Sequence, residues 1–325
     1  MTSGWDGTGY YAAQLAPERV RTDWSAPVAR AGIVAPRPLQ LGDILGGAFR
    51  AVRFAPLTMF GLTLVVLMVA QLVGAGTGYV LGRQFGLPLV PFEDADLDTT
   101  SLLSWTTVTS TLATSLTSIV VGMGLVHTVF EGVSGRRVRP SEALRHMGSR
   151  LGAALGYGAV ATLAVVAVAA AGFAILTPAF SDDSATAALL LFVAFVVGGG
   201  LSTWLYVRLL FVPAAIAVER LGPFRAIARS WVLTRRQFWR LGGISVVTSV
   251  VISLAAGTVG TVFSFAGLLL AVGNDLALLA MTTASNLAST VLSLPLSTAV
   301  TALLYVDARI RTEGYDLQLS EALYG

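Results

Sequence analysis

The chain has 325 residues, of which 55% are hydrophobic and only 12% are charged, and its formal net charge is +3. A soluble domain usually carries about 25% charged residues, so this composition, with a mean hydropathy of +0.75, argues against a soluble protein. All 21 basic residues are arginine and there is no cysteine, which excludes disulfides and thiolate metal sites. The pI near 9.5 is compatible with nucleic-acid binding, but the positions of the arginines favour a membrane and no nucleic-acid partner.

The N-terminal arm, residues 1–36, mixes aromatic, proline, glycine and charged residues and lacks the apolar run of a signal peptide. We predict that this arm is disordered and cytoplasmic, and that the first apolar segment acts as an uncleaved anchor. A membrane domain is predicted over 37–311 and a cytoplasmic C-terminal tail over 312–325.

Six apolar segments are long enough to cross a bilayer, which takes roughly 20 residues. They lie at about 57–81, 102–130, 151–177, 186–217, 241–272 and 276–306. The predicted fold class is therefore all-α: a polytopic membrane protein with six transmembrane helices in three hairpins. Pro213 and Pro295 are candidate kink sites, since proline removes a backbone donor inside a helix.

The arginines predict the orientation of the chain. All but Arg83 and Arg208 lie before the first span or in the segments 131–150, 219–240 and 307–311, which follow alternate crossings. The opposite loops carry mainly acidic residues. By the positive-inside rule, both termini are predicted to be cytoplasmic in a bacterial cytoplasmic (inner) membrane.

A short amphipathic segment precedes the first, third and fifth spans, at 42–56, 140–152 and 223–243. This pattern predicts a repeated unit of one cytoplasmic amphipathic helix and one transmembrane hairpin. In the first span, Gly74 and two further glycines recur at four-residue intervals, and this spacing permits close contact with a neighbouring helix. The many Ser and Thr residues of the second span indicate helix packing or, alternatively, a polar cavity.

Arg208 is the one basic residue inside a predicted span, about 16 Å from Glu219 along a helix. A lone charge at that depth is costly and is expected to face the bundle interior and find a partner. The candidate ion-pair partners are Glu131, Glu219 and Asp307. Two interpretations stay open: a structural ion pair, or an anion or lipid-headgroup site.

The stretch from Arg208 to Gly243 is rich in arginine and aromatic residues. On a single helix, one narrow stripe would hold Arg225, Arg229, Arg236 and Arg240. Trp231 and Trp239 accompany it, and clustered arginine beside tryptophan is typical of binding to anionic lipid heads. The alternative is an ordinary interfacial helix with no specific ligand. Arg235 falls among the apolar positions, so one turn is expected to face inward.

Other candidate sites are weak. Asp94, Asp96 and Asp98 resemble the start of a calcium loop, but the glycine and the closing glutamate are missing. His127 and His146 are expected to be structural or exposed. The sequence contains no recognisable catalytic or nucleotide-binding motif, so we predict no catalytic residue, no metal and no cofactor.

Three stretches, 37–53, 208–244 and 301–319, resemble the membrane domain fused to some bacterial glycerophosphodiester phosphodiesterases, and most of all its stand-alone actinobacterial relatives. The most specific matches are Pro213, Glu219, Gly222, Ala226, Arg229, Ser230, Trp231, Phe238 and Trp239. Gly46 departs from the pattern, because relatives often carry an acid there. The phosphodiesterase domain is absent, so the resemblance implies a membrane architecture and not hydrolase activity.

We therefore predict a non-enzymatic membrane protein that binds, moves or scaffolds lipids or cell-envelope precursors. Its expected partners are membrane lipids, anionic ones above all, and a protein of envelope assembly. Two alternatives stay open: a membrane-embedded enzyme of glycerophospholipid metabolism, and a small-solute transporter or channel.

Overall fold

The structure, a computed structural model, describes residues 39–85, 105–133, 135–176, 185–270 and 275–313. Every regular element in these ranges is helical, which confirms the predicted all-α class. In chain order the helices are α1 (Leu41–Phe54), α2 (Leu62–Phe85, preceded by a π-helical turn at Leu57–Gly61), α3 (Trp105–Val133), α4 (Pro140–Leu176), α5 (Ala185–Leu209), α6 (Val212–Glu219), α7 (Pro223–Arg235), α8 (Phe238–Leu270) and α9 (Asp275–Glu313).

Six helical segments of the described chain are long and apolar enough to cross a membrane. They belong to α2, α3, α4, α5 with α6, α8 and α9. The last helix extends to Glu313 and so passes the predicted domain end at 311. The predicted arm, residues 1–36, and the tail beyond Glu313 lie outside the described residues.

The first predicted amphipathic segment forms α1. Its start is stabilised because the backbone N–H of Gln40 donates to the Asp43 carboxylate at 3.2 Å. Ile44 and Ala48 on one face are buried, whereas Arg50 and Arg53 on the other face are exposed. This separation of faces is what a helix needs to lie along the end of a membrane bundle.

The other two amphipathic segments behave differently from α1. Residues 140–152 form the first turns of α4, with no break before its transmembrane part. Residues 223–243 form α7, a turn at Arg236 and Gln237, and the start of α8. Pro223 occupies the first turn of α7, where its missing N–H is not needed.

Small residues hold neighbouring helices together. A Cβ atom on Gly74 would lie 3.0 Å from the Cα of Ser110, so glycine is required where α2 crosses α3. Thr109 also donates to the carbonyl of Gly74 at 2.8 Å. Between α8 and α9, Ser285 donates to the carbonyl of Gly260 at 2.7 Å. Hydroxyls and glycines therefore serve helix packing, as predicted for the first two spans.

The fourth span is broken, and the sixth is not. Pro213 has no N–H to donate to the carbonyl of Leu209, and the helix is interrupted between α5 and α6. Pro295 lies inside α9, which continues past it. Of the two candidate kink sites, only Pro213 thus coincides with a helix end.

Completely buried large side chains are concentrated in and beside α6 and in the second half of α9, against which α1 packs. Phe211, Ile216, Leu303 and Tyr305 are completely buried there. We call this part of the bundle the basic end, because the arginines of the segments between spans lie beside it. Farther along the spans, large apolar side chains such as Phe195 are exposed, as expected for surfaces that face lipid.

Candidate functional site: a basic groove beside a broken helix

A groove of about 1270 Å³ lies between α5 and the start of α8, at the basic end. Five arginines and no acid are among its lining residues. The lining residues are Gly199, Gly200, Thr203, Trp204, Arg208, Arg235, Arg236, Gln237, Phe238, Trp239, Arg240 and Arg311. We call it the basic groove. This excess of positive charge makes it suited to an anionic ligand.

Arg208 lies in this groove among aromatic rings. Its guanidinium carbon is 4.8 Å from the ring centroid of Trp231, 5.3 Å from that of Phe238 and 5.7 Å from that of Trp204. Contacts with aromatic faces stabilise a desolvated cation, but they use none of its N–H donors. The buried Nε and Nη1 of Arg208 find no hydrogen-bond acceptor in the described part of the chain. Buried donors of this kind normally have a partner.

The structure corrects the expected partners of Arg208. Glu131 pairs with Arg136 at 2.8 Å, and Glu219 pairs with Arg229 at 3.0 Å. Asp307 pairs with other arginines. Arg208 points instead towards the tryptophans, so among the described residues its charge is met by aromatic rings and by no carboxylate.

Ser230 of α7 holds the chain break beside Arg208. Its completely buried hydroxyl donates to the carbonyl of Arg208 at 2.7 Å and accepts from the N–H of Phe211 at 3.2 Å. It thus bonds two backbone groups that the break would leave unpaired. The next residue, Trp231, lies against the Arg208 side chain. One short stretch of α7 therefore sets both the backbone and the side chain of Arg208.

A second cluster, which we call the Leu39 clamp, borders the groove. The completely buried Asp307 accepts hydrogen bonds from Arg240 at 2.5 Å, from Arg311 at 3.0 Å and from the N–H of Leu39 at 2.7 Å. Arg240 also donates to the carbonyl of Leu39 at 2.7 Å. Both arginines line the groove, so the clamp fixes part of the groove wall to Leu39, two positions before the start of α1.

A third cluster is centred on Glu219, at the end of α6. Arg229 donates to both its carboxylate oxygens, at 3.0 and 3.1 Å, and the hydroxyl of Tyr305 donates to it as well. Arg229 also pairs with Glu313 at 2.5 Å. Burial raises the pKa of Glu219, but the hydrogen bonds from Arg229 and Tyr305 outweigh burial and hold that pKa below its usual value. This cluster ties α6, α7 and α9 together.

The lowered pKa of Glu219 predicts a loss of stability in acid. A carboxylate with a depressed folded-state pKa stabilises the fold above its unfolded pKa, and this contribution is lost as the pH falls through the folded value. We expect thermal unfolding in detergent to show a steeper loss below pH 4.5 for wild type than for Glu219→Gln. The difference should be about 1 kcal/mol, since the pair is partly exposed. Tyr305→Phe should give an intermediate slope, and parallel curves for all three proteins would contradict the assignment.

The arginines of the predicted stripe are divided between different environments, which corrects the single-helix interpretation. Arg225 is exposed, and Arg229 belongs to the Glu219 cluster. Arg236 and Arg240 line the groove. The stripe is divided because the chain turns after Arg235, which lets α7 lie along the basic end while α8 enters the bundle.

The two predicted tryptophans and Arg235 lie in or beside the basic groove. Trp231 contacts Arg208, and Trp239 lines the groove with 87% of its surface exposed. Arg235 was expected to face inward, but it is exposed and lines the groove, because α7 ends there. Sequence reasoning missed Trp204 and Arg311. A four-residue spacing, from Arg208 and from Asp307 respectively, was the signal that could have found them.

The histidines form a pair that the sequence did not suggest. The rings of His127 and His146 are stacked, with centroids 4.0 Å apart and planes inclined by 7°. Arg136 lies nearby and bridges Glu131 and Glu142. No group of three or more metal-binding side chains occurs in the ranges that the structure describes. The calcium-like residues Asp94, Asp96 and Asp98 lie outside those ranges.

Fold and groove together define a multi-pass, all-α integral membrane protein with a basic site at one end of its bundle. The chain belongs to the family described as "Domain of unknown function (DUF7847)", whose model matches residues 39–308. No curated protein and no solved structure matches the chain. The matched range includes Leu39, Arg240 and Asp307 of the Leu39 clamp, and Arg311 lies just beyond it.

Proposed function

We propose that this protein binds the headgroup of an anionic membrane lipid in the basic groove. The observation that carries the proposal is Arg208, whose buried Nε and Nη1 lack an acceptor in the described structure. A phosphate oxygen would satisfy these donors, because guanidinium and phosphate form strong, charge-assisted hydrogen bonds. The surrounding rings would hold the guanidinium plane in place for such a contact.

The groove also suits the rest of a lipid molecule. Gly199 and Gly200 form part of its wall, and a Cβ atom on either would meet nothing within 4 Å. An acyl chain can therefore lie directly against the backbone of α5. Trp239 is exposed at the groove, and tryptophan is enriched at the level of lipid headgroups. Headgroup and chain would thus meet chemically matched surfaces.

The proposed location is the bacterial cytoplasmic membrane, with the basic end and both termini in the cytoplasm. This orientation rests on the arginine bias between spans. Anionic lipids give the cytoplasmic leaflet a negative surface potential, which attracts basic residues by about 1 kcal/mol each. In this orientation the groove would face that leaflet, and the bound lipid could be held, moved or presented to an envelope-assembly protein.

The test compares phosphatidylglycerol with phosphatidylcholine on the purified protein, by native mass spectrometry of lipids retained from equimolar mixed micelles. Wild type should retain phosphatidylglycerol preferentially. Arg208→Ala should weaken retention about tenfold, which corresponds to about 1.4 kcal/mol, and Arg208→Lys should recover it only in part. Arg225→Ala is the matched control, since Arg225 is exposed and is not a lining residue of the groove.

Equal retention of the two lipids by wild type, or an unchanged preference in a folded Arg208→Ala protein, would contradict this proposal. The stacked histidines favour one further candidate, a membrane enzyme of glycerophospholipid metabolism, in line with the resemblance to phosphodiesterase-linked membrane domains. Hydrolysis of phosphatidylglycerol by the purified protein, abolished in His127→Ala, would favour that enzyme.

A further inference from the structure

A separate cavity of about 460 Å³ lies within the membrane-spanning part of the bundle. It is lined by α3, α4, the broken α5–α6 span and α9. On α5 its lining residues are Ser202, Leu205, Tyr206 and Leu209, whereas those of the basic groove are Gly199, Gly200, Thr203, Trp204 and Arg208. No residue belongs to both sets. The cavity is therefore distinct from the groove, and its occupant can be considered on its own.

The cavity wall is uncharged. Apolar side chains form most of it, and residues that carry hydroxyl groups, among them Tyr157, Ser202 and Thr298, also line it. Pro213 also lines it and leaves the carbonyl of Leu209 without its regular helical donor. An ionised ligand would find no opposite charge here and would be costly to bury. A neutral molecule with a hydroxyl group could instead exchange hydrogen bonds with this wall.

The cavity opens sideways, between α4 and α5. Val165 and Tyr206 line it and are 65% and 49% exposed. Both lie inside membrane-spanning segments, so an opening beside them faces the bilayer. A ligand would therefore enter from the hydrocarbon region and would have to be soluble in it.

The dimensions favour a single chain. Along α4 the lining runs from Tyr157 to Val168, which is about 16 Å at 1.5 Å per residue. The volume lies within the range of about 300–1,000 Å³ typical of small-molecule sites. Such a long and narrow space accommodates one hydrocarbon chain with a compact polar head.

We infer that this cavity binds a neutral, single-chain amphiphile with a hydroxyl head, of the monoacylglycerol class, which enters laterally from the bilayer. The wall hydroxyls and the Leu209 carbonyl bind the head, and the apolar residues of α3, α4 and α5 surround the chain. This inference does not rest on the basic groove or on its proposed anionic ligand.

The experiment uses a monoacylglycerol with a photoreactive diazirine in its chain, added to the full-length protein in phosphatidylcholine nanodiscs. Cross-linked peptides are mapped by mass spectrometry. We expect saturable labelling on α3, α4 and α5 at the cavity. Excess 1-oleoylglycerol should compete at least tenfold better than oleate at pH 9, hexadecane or phosphatidylglycerol. Oleate tests whether the cavity excludes a charged head, and hexadecane tests whether a hydroxyl head is needed. Phosphatidylglycerol tests whether the proposed ligand of the basic groove also enters the cavity.

A cavity-filling substitution provides the structural test. A Cβ atom on Gly122 would meet only Thr298 Oγ1, at 3.8 Å, so the Leu side chain of Gly122→Leu would project into the cavity and should reduce labelling at least tenfold. Gly76→Leu is the matched control, since a Cβ atom there meets nothing within 4 Å on an exposed face of α2. Ala161→Phe fills the cavity from α4 and gives a second, independent variant.

Unsaturable labelling of wild type, or equal competition by oleate or hexadecane, would overturn the inference even if neither filled variant folds. Full labelling of a filled variant with a wild-type melting temperature would also overturn it. Because phosphatidylglycerol is only a competitor in this assay, its result does not depend on whether the basic groove binds that lipid.

Discussion

Replacing Asp307 by alanine is expected to lower the free energy of unfolding by about 3 kcal/mol, the cost typical of breaking a buried ion pair. The carboxylate is completely buried and accepts from Arg240, Arg311 and the N–H of Leu39. Without it, two guanidinium groups face each other and the Leu39 N–H loses its acceptor. Thermal unfolding in detergent should show the loss, together with faster proteolysis at Leu39.

Two comparisons make the Asp307 result specific. Asp307→Asn keeps an oxygen for the Leu39 N–H but removes the charge, and should destabilise less than alanine. Glu142→Gln breaks an ion pair whose side chains are 41% and 51% exposed, and should cost less than about 1 kcal/mol. If Asp307→Ala and Glu142→Gln melted at the same temperature, the Leu39 clamp would have no structural role.

Ser230→Ala is expected to cost about 2 kcal/mol, because it leaves two buried backbone groups without a partner. Ser230 donates to the carbonyl of Arg208 and accepts from the N–H of Phe211. Loss of this bridge should also loosen the end of α5 that carries Arg208. We therefore expect lower stability and weaker retention of phosphatidylglycerol in the same variant.

Thr261→Ala is the control for Ser230→Ala. Its hydroxyl is exposed, and its one hydrogen bond within the described ranges is to the carbonyl of Gly257 in α8, at 2.8 Å. Removing it should change neither the melting temperature nor lipid retention. A Ser230→Ala protein with wild-type stability would show that the chain break does not need the bridge. A loss of stability with unchanged lipid retention would show that the Ser230 bridge supports the fold but is not needed for lipid binding in the groove.

The sequence alone predicted most of the fold. Six spans, the amphipathic α1 and the close contact at Gly74 follow from apolar length, from alternation of faces and from glycine spacing. These signals depend on the composition and the periodicity of residues that are close together in the chain, so they do not require knowledge of distant contacts. For the same reason the sequence indicated where the groove lies: Arg208, Arg236, Arg240 and Trp239 were all among the predicted site residues.

Tertiary structure alone decided which groups meet. Asp307 and Leu39 are 268 positions apart, and Arg240 and Asp307 are 67 apart. The sequence proposed Glu131, Glu219 or Asp307 for Arg208, whereas in the fold Arg208 contacts aromatic rings and Asp307 pairs with Arg240. By charge alone, several carboxylates are equally suitable partners for an arginine. Only the orientation of the helices in the fold selects between them. The cavity likewise depends on how four spans are arranged around the break at Pro213, and no local sequence pattern predicts that arrangement.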